Sequence, residues 1–255
     1  MKHLTRNGVR LAYSEAGAGD PPLLLVHGMR CNHTHMLPQM GYFMRCHRVL
    51  NIDLRGHGAS DAPQSSYSND EINDDLVWLC NELGIEKPIA IGHSFGGSTL
   101  LHLSVARPDF LGGLVVLDSG VRTAESRQAE LGRTPTMTPE EGRAFLTARL
   151  FSPDDPTKLR DRIIGEMDAP LAHVSKGIGQ TVLTFDAAGA AERCKIPALF
   201  LLADRPFTDR ETLDRLGPNW RIGQVVGAGH FIHMVVPDQV NAMIERFLDL
   251  LRPAA

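Results

Sequence analysis

The sequence lacks the features that mark a membrane protein or a nucleic-acid-binding protein. No apolar run approaches the ~20 residues of a membrane-spanning helix. The formal net charge is only −4, and the basic residues are scattered, so no surface for nucleic acid or an anionic membrane is indicated. The four cysteines form no C-x-x-C pair, and no apolar stretch follows the first residues. We therefore expect a reduced, cytosolic protein without an export signal whose partner is a small molecule.

The rest of the composition is typical of a globular enzyme-sized domain. Hydrophobic residues make up 43% and charged residues 22% of the 255 residues, which excludes disordered and fibrous classes. Asn7 and Gly8 separate two short extended segments and predict an opening hairpin. Short, mostly apolar runs then alternate with helical patterns, which predicts a parallel sheet with right-handed crossovers. The predicted buried strands are 23–26, 49–52, 88–91, 114–117, 198–203 and 222–226.

The alternation stops between residues 119 and 194, where no strand signal occurs. Candidate helices in this stretch are 125–131, 139–151, 157–167 and 171–184. We expect a helical cap over the carboxyl ends of the strands, where ligands bind in open α/β sheets. The predicted division is therefore a core of 1–118 and 195–255 with a cap of 119–194.

The most informative motif is the segment 92–97, G-H-S-F-G-G, in which Ser94 stands between a predicted strand and a predicted helix. So sharp a turn strains the backbone of the residue at the corner, and it requires neighbours with almost no side chain. The backbone N–H of Phe95, at the start of the helix, can then face developing negative charge. This arrangement is a nucleophile elbow, and it predicts that Ser94 is a nucleophile.

A serine needs a base within hydrogen-bonding reach, because its hydroxyl is a weak nucleophile at neutral pH. His230 follows the last predicted strand in a glycine-rich loop, which places it at the same sheet edge as Ser94. His233 is the nearest rival, and we expect it to be a pocket or helix-start residue. The histidines 27, 57 and 93 are predicted to hold loops in place.

A second oxyanion donor is predicted in the loop after the first buried strand, where the backbone N–H of Met29 follows Gly28. His33 and His35 lie in an H-x-H pattern. That pattern lacks a third ligand at a sensible spacing, so no metal site is predicted, and we expect both side chains to line the mouth of the pocket.

Four segments in this order resemble the α/β-hydrolase superfamily over nearly the whole chain. They are His27-Gly28, the D-L-R-G-H-G-A-S run at 53–60, the elbow at 92–97, and Gly229-His230 followed by Pro237. The resemblance implies an α/β-hydrolase fold with a mostly parallel, eight-stranded sheet flanked by helices. It also implies a serine nucleophile, a histidine base, an oxyanion hole from the Met29 and Phe95 backbone, and no cofactor.

The acid that orients the histidine departs from the family pattern. Members usually carry it shortly after the strand that here ends at Ala203, but Pro206 holds that place, with Asp204 before it and Asp209 after it. Other members place it after the strand that follows the elbow helix, where Asp118 stands. A buried carboxylate at the far nitrogen of the histidine fixes its tautomer. Asp118 is the first choice, with Asp204 and then Asp209 as alternatives.

These predictions describe a serine hydrolase that cleaves a small or medium carboxylic ester, thioester or lactone through an acyl-enzyme. Apolar residues of the cap are expected to line a pocket or to pack the cap on the sheet; they are 145, 150, 151, 163, 167, 171, 174 and 178.

Fold alone does not determine activity, so other functions stay open. One is a cofactor-free dioxygenase of heteroaromatic rings, which pairs its histidine with an acid at the position of Asp118. Another is a small-molecule receptor with slow turnover. Carbon–carbon bond hydrolysis and cyanohydrin cleavage are further possibilities, whereas a dehalogenase would need aspartate at position 94.

Overall fold

The computed structural model of the protein describes residues 1–126, 128, 138–168, 171–208, 210–216 and 220–252. Their strands form one eight-stranded sheet in the order β1-β2-β4-β3-β5-β6-β7-β8. The strands are β1 (Lys2–Arg6), β2 (Val9–Ala16), β3 (Leu23–Val26), β4 (Val49–Ile52), β5 (Ile89–His93), β6 (Gly113–Leu117), β7 (Ala198–Leu202) and β8 (Trp220–Gln224).

Most of this sheet is parallel, as predicted. The pairs β1–β2 and β2–β4 are antiparallel, and all others are parallel. The opening hairpin turns at Asn7 and Gly8, which both have positive φ angles, 50° and 80°. That geometry matches the right-handed twist of the two strands it joins. The α/β-hydrolase fold expected from the sequence is therefore confirmed.

Helices cover both faces of the sheet. They are α1 (Leu37–Phe43), α2 (Asn69–Glu82), α3 (Phe95–Ala106), α4 (Pro139–Leu150), α5 (Thr157–Met167), α6 (Ala172–Thr184), α7 (Ala187–Arg193), α8 (Arg210–Leu216), α9 (Ile232–Val235) and α10 (Pro237–Leu251), with a 3-10 turn at His33–Met36 before α1. Two large apolar clusters result, one against each face. Strands β3 to β7 are buried along their whole length, which explains why their sequences are apolar apart from Asn51 in β4 and His93 in β5.

Helices α4 to α7 lie between β6 and β7 in the chain, within the stretch predicted to be a cap. The predicted helices at 139–151, 157–167 and 171–184 correspond to α4, α5 and α6. The predicted helix at 125–131 falls mostly outside the described residues. The helix α7 had no individual prediction. The division of the chain into core and cap stays a prediction.

Two further differences concern the bounds of the last strand and a short helix after it. The last strand runs over Trp220–Gln224, two residues earlier than predicted, because its backbone pairs residue by residue with β7 from Ala198 onward. The short α9 was also not anticipated. No helix in the described part of the chain is both long enough and apolar enough to cross a membrane.

Candidate active site

Ser94 stands at the sharp turn between β5 and α3. Its backbone angles are φ 50° and ψ −117°, a conformation that costs on the order of 1–3 kcal/mol for a residue other than glycine. The turn is locked from both sides, because the Ser94 N–H donates to Leu117 O at 2.9 Å and the Ser119 hydroxyl donates to Ser94 O at 2.6 Å. The Ser94 side chain makes no capping bond to the described residues of α3, so its hydroxyl is left for other chemistry.

The elbow packs directly against the end of β3. A Cβ atom at Gly96 would lie 2.5 Å from the carbonyl oxygens of both Val26 and His27. Only a residue without a side chain allows this approach. The close contact brings the loop after β3, which begins at His27, next to the N-terminus of α3.

His230 lies in the loop after β8 and is paired with Asp118. The His230 Nδ1–H donates to Asp118 Oδ2 at 2.8 Å, and both side chains are buried. Asp118 directly follows β6, and its other oxygen, Oδ1, accepts from the N–H groups of Ala203 and Phe207 at 3.3 and 3.4 Å. The carboxylate is thus fixed by the backbone, and it holds the imidazole with Nε2 as the unprotonated nitrogen.

The other two candidate acids lie elsewhere. Asp204 is exposed, and its Oδ2 accepts from the N–H groups of Gly227 and Ala228 at 2.8 and 3.2 Å. It therefore holds the loop that precedes the histidine and does not contact the imidazole. Asp209 lies outside the described residues. Of the acids that the structure describes, Asp118 is the one beside His230.

Buried histidines order the loop that carries Met29. The His27 Nδ1–H donates to Gly28 O at 2.8 Å, while its Nε2 accepts from the Leu54 N–H at 3.1 Å. His57 Nε2 accepts from the Arg30 N–H at 3.2 Å. Burial lowers the pKa of both rings, His27 and His57. Repulsion by neighbouring imidazoles lowers the pKa of His27 further. Each imidazole is therefore neutral, and each can donate and accept at once.

Ser94, His230, Met29 and Phe95 all line one cavity of about 190 Å³. The remaining lining is mainly apolar and includes Leu146, Leu150, Met167, Val182, Phe207 and Phe231. Two small polar side chains, Cys31 and Ser98, also face it. Burial raises the pKa of the Cys31 thiol, so Cys31 is protonated and unreactive. Ser94, Met29, Phe95 and an imidazole held by a carboxylate thus line one mainly apolar pocket, a set of groups that acyl transfer can use.

A sequence model of the Alpha/beta hydrolase family matches residues 23–243 of the chain. The chain belongs to the alpha/beta hydrolase family. Among its relatives, this hydrolase is 30% identical to the AB hydrolase superfamily protein YfhM of Bacillus subtilis over 201 residues, 72% of this chain and 67% of that protein. It is 26% identical to 3-oxoadipate enol-lactonase 2 of Acinetobacter baylyi over 214 residues, 80% of this chain and 79% of that protein.

Solved structures agree on the fold. A thermophilic esterase from Thermogutta terrifontis superposes on this hydrolase with a TM-score of 0.84 and 24% identity, and the match covers 99% of this chain and 100% of that one. The family match and these relatives identify the protein as an enzyme of the α/β-hydrolase type.

His33, His35 and His233 are not among the residues that line this cavity, whereas His93 is. His33 Nδ1 lies 2.9 Å from Asp53 Oδ1, and His35 Nε2 lies 2.5 Å from Glu166 Oε2. These two histidines therefore have different carboxylate partners and share no ligand. His233 is fully buried in α9, with its ring centroid 4.3 Å from that of His93.

The apolar residues predicted for the pocket are divided between three environments. Leu150 and Met167 line the cavity, whereas Phe145 and Leu171 are 56% and 54% exposed. The others are buried among apolar neighbours; they are Phe151, Ile163, Val174 and Ile178. Sequence reasoning missed Leu146, Val182, Phe207 and Phe231. Helical periodicity could have suggested Leu146, which lies one turn before Leu150.

Proposed function

We propose that this hydrolase is a serine enzyme that cleaves a small carboxylic ester, thioester or lactone through an acyl-enzyme intermediate. The pairing of His230 with the buried Asp118, in the cavity that Ser94 also lines, is the observation that carries the proposal. The Asp118 carboxylate keeps the proton on Nδ1 and stabilises the imidazolium that forms during the reaction.

The proposed reaction has two halves. The Ser94 oxygen attacks the substrate carbonyl while its proton passes to His230 Nε2, and the tetrahedral oxyanion accepts hydrogen bonds from the N–H groups of Met29 and Phe95. The bond from carbon to the leaving oxygen or sulfur then breaks, and His230 returns the proton to the leaving group. In the second half, water attacks the acyl-enzyme with His230 as base, which releases the acid and restores Ser94.

The size and lining of the cavity favour a short, apolar acyl group. A volume of about 190 Å³ lies below the ~300–1,000 Å³ that is usual for small-molecule pockets. The helices α4, α5 and α6 supply Leu146, Leu150, Met167 and Val182 to this lining. We accordingly propose that the helical stretch 119–194 is a cap that selects the acyl group. The names of the lactonase and esterase relatives support an ester or lactone substrate.

A fluorophosphonate tests the proposed nucleophile, because it reacts with an activated serine by forming an oxygen–phosphorus bond and expelling fluoride. Intact mass is measured for the native protein, Ser94→Ala, His230→Ala and Ser98→Ala. We expect one adduct on the native protein, none on Ser94→Ala and slow labelling of His230→Ala. Ser98→Ala removes another hydroxyl of the same cavity and is expected to keep the adduct.

The absence of an adduct on a folded native protein would contradict the acyl-enzyme proposal. A second candidate would then take precedence, since the His230–Asp118 pair is also what a cofactor-free dioxygenase of heteroaromatic rings needs. That activity would consume oxygen with a heteroaromatic substrate, would survive Ser94→Ala and would be lost in His230→Ala. Ligand binding with neither an adduct nor a product would instead indicate a receptor.

A further inference from the structure

The segment between α4 and α5 contains a carboxylate that is buried although it lies near the protein surface. Asp155 is only 5% exposed, whereas its neighbour Asp154 is exposed. Aspartate is rarely fully buried unless its oxygens have partners. Both oxygens of Asp155 do have partners, and one of these partners belongs to the loop that carries the proposed base.

Asp155 joins its own segment to the residue before His230. Its Oδ1 accepts from the Gly229 N–H at 3.0 Å, and its Oδ2 accepts from the Ser152 N–H at 2.9 Å. A Cβ atom at position 229 would lie 2.6 Å from both Asp155 Oδ2 and Leu150 O. The glycine before the histidine is therefore required by this contact.

The same segment also holds His230 directly. The His230 N–H donates to Leu150 O at 2.7 Å, and the His230 carbonyl accepts from His93 Nε2 at 3.0 Å. The backbone of the histidine is thus held on one side by the segment 150–155 and on the other by the strand that leads to Ser94. The Arg205 guanidinium, which donates to Phe151 O at 3.1 Å, ties that segment to the loop after β7.

We infer that Asp155 is a positioning residue that aligns His230 with Ser94 through the amide of Gly229. The inference rests on the proposed function, in which His230 Nε2 must reach the Ser94 hydroxyl. Asp118 fixes the plane and tautomer of the ring, while Asp155 and Leu150 O fix the backbone from which the ring projects. The segment at the end of α4 therefore serves two purposes, because the Leu150 side chain lines the cavity and its carbonyl holds the base.

A carboxylate suits this place better than an amide. Two backbone N–H groups point at the Asp155 side chain, and a carboxylate has an acceptor oxygen for each of them. Asparagine has a single acceptor oxygen, and its NH₂ group would face the second N–H. Alanine would remove the acceptor from both N–H groups, of which that of Gly229 is buried. We therefore expect kcat to be highest in the native protein, lower in Asp155→Asn and lowest in Asp155→Ala.

The test compares these two variants and the matched control Asp154→Asn, with a short-chain aryl ester as substrate. Misplacing a reacting group by about 1 Å can lower a rate ~100-fold, so we expect kcat to fall at least about tenfold in Asp155→Ala. The change in KM should be much smaller, because the lining of the cavity stays in place. Asp155→Asn should recover part of kcat, and the exposed control should match the native protein.

A second readout does not depend on activity. The Nδ1–H proton of His230 shared with Asp118 should give a downfield proton resonance, assigned by its loss in His230→Gln. In Asp155→Ala this resonance should shift or broaden while circular dichroism stays unchanged.

A folded Asp155→Ala with native kcat and a native resonance would overturn the inference, and so would an equal loss of kcat in the Asp154→Asn control. If the native protein instead hydrolyses no ester and forms no fluorophosphonate adduct, the proposed function fails, and the resonance still reports whether Asp155 positions His230.

Discussion

Asp118 and Asp204 both follow a buried strand, and only their surroundings distinguish them. Asp118 is buried and contacts the His230 imidazole. Asp204 is exposed and accepts hydrogen bonds from two backbone amides in the loop that precedes His230. At the scale of single residues, the role of each carboxylate in the candidate site depends on which N–H group donates to it. The neutral histidines of the site follow the same principle, because their tautomers are set by neighbouring carbonyls and amides.

The two acids are separated by the variants Asp118→Asn and Asp204→Asn. Asparagine at 118 keeps the shape of the side chain but disturbs the tautomer of His230, so we expect kcat for an ester to fall roughly 10⁴-fold. Asp204→Asn keeps one acceptor for the loop amides and should retain most of the activity. The measurement is kcat for both variants, with circular dichroism as the control for folding. A larger loss in Asp204→Asn would reverse the assignment.

At the scale of elements, α6 shows how one helix meets different surroundings along its length. Gly177 faces Tyr67, whose ring carbon Cδ2 would lie 2.9 Å from an added Cβ. Gly179, two residues later in the same helix, has nothing within 4 Å of that position in the part of the chain that is described. Tyr67 is fully buried, so it cannot move aside to make room.

Alanine substitutions at these two positions should have opposite effects on stability. Gly179→Ala is expected to raise the free energy of unfolding by about 0.5–1 kcal/mol, since glycine inside a helix loses more backbone entropy than alanine. Gly177→Ala gains the same entropy term but overpacks against Tyr67, which costs about 1–3 kcal/mol, so it should be less stable than the native protein. Urea unfolding measures both. Equal stabilisation by the two variants would contradict the packing described here.

At the scale of the whole molecule, several imidazoles are buried in the fold without charge. Burial, with repulsion from other histidines, lowers the pKa of His27, His93 and His233 well below the ordinary value. Both ring nitrogens of His233 lack a hydrogen-bond partner among the described residues. The unfolded chain binds protons at these groups near pH 6.5, whereas the folded protein does not.

Stability should therefore fall as the pH drops below about 6.5. A folded state that binds fewer protons than the unfolded state loses stability with falling pH, by at most ~1.4 kcal/mol per pH unit for each histidine, until the pH reaches the lowered pKa. We expect His233→Leu to reduce this pH dependence of stability by up to one bound proton per molecule. Urea unfolding between about pH 5 and about pH 7 measures the slopes. An unchanged slope in His233→Leu would contradict the prediction.

Much of the fold could be predicted because its signals are local. Helix α5 occupies the residues predicted for it, and α4 ends one residue earlier than predicted, because the spacing of apolar residues within each segment is a local signal. The helix α7 was missed because its sequence, A-A-G-A-A-E-R, has no apolar stripe. Its small residues Ala187, Ala190 and Ala191 are buried in the core, and the Asp186 side chain caps its first turn. That cap was the available signal.

The sequence by itself determined the order of strands and helices, the turn that exposes Ser94 and the loop that carries His230, because each depends on a few adjacent residues. Only the tertiary structure decided between Asp118 and Asp204, and only it brought Asp155 to Gly229. Asp118 and His230 are 112 residues apart in the chain, and Asp155 and Gly229 are 74 residues apart. Contacts of that kind depend on how the loops at one sheet edge pack together, and no local pattern of residues encodes that packing.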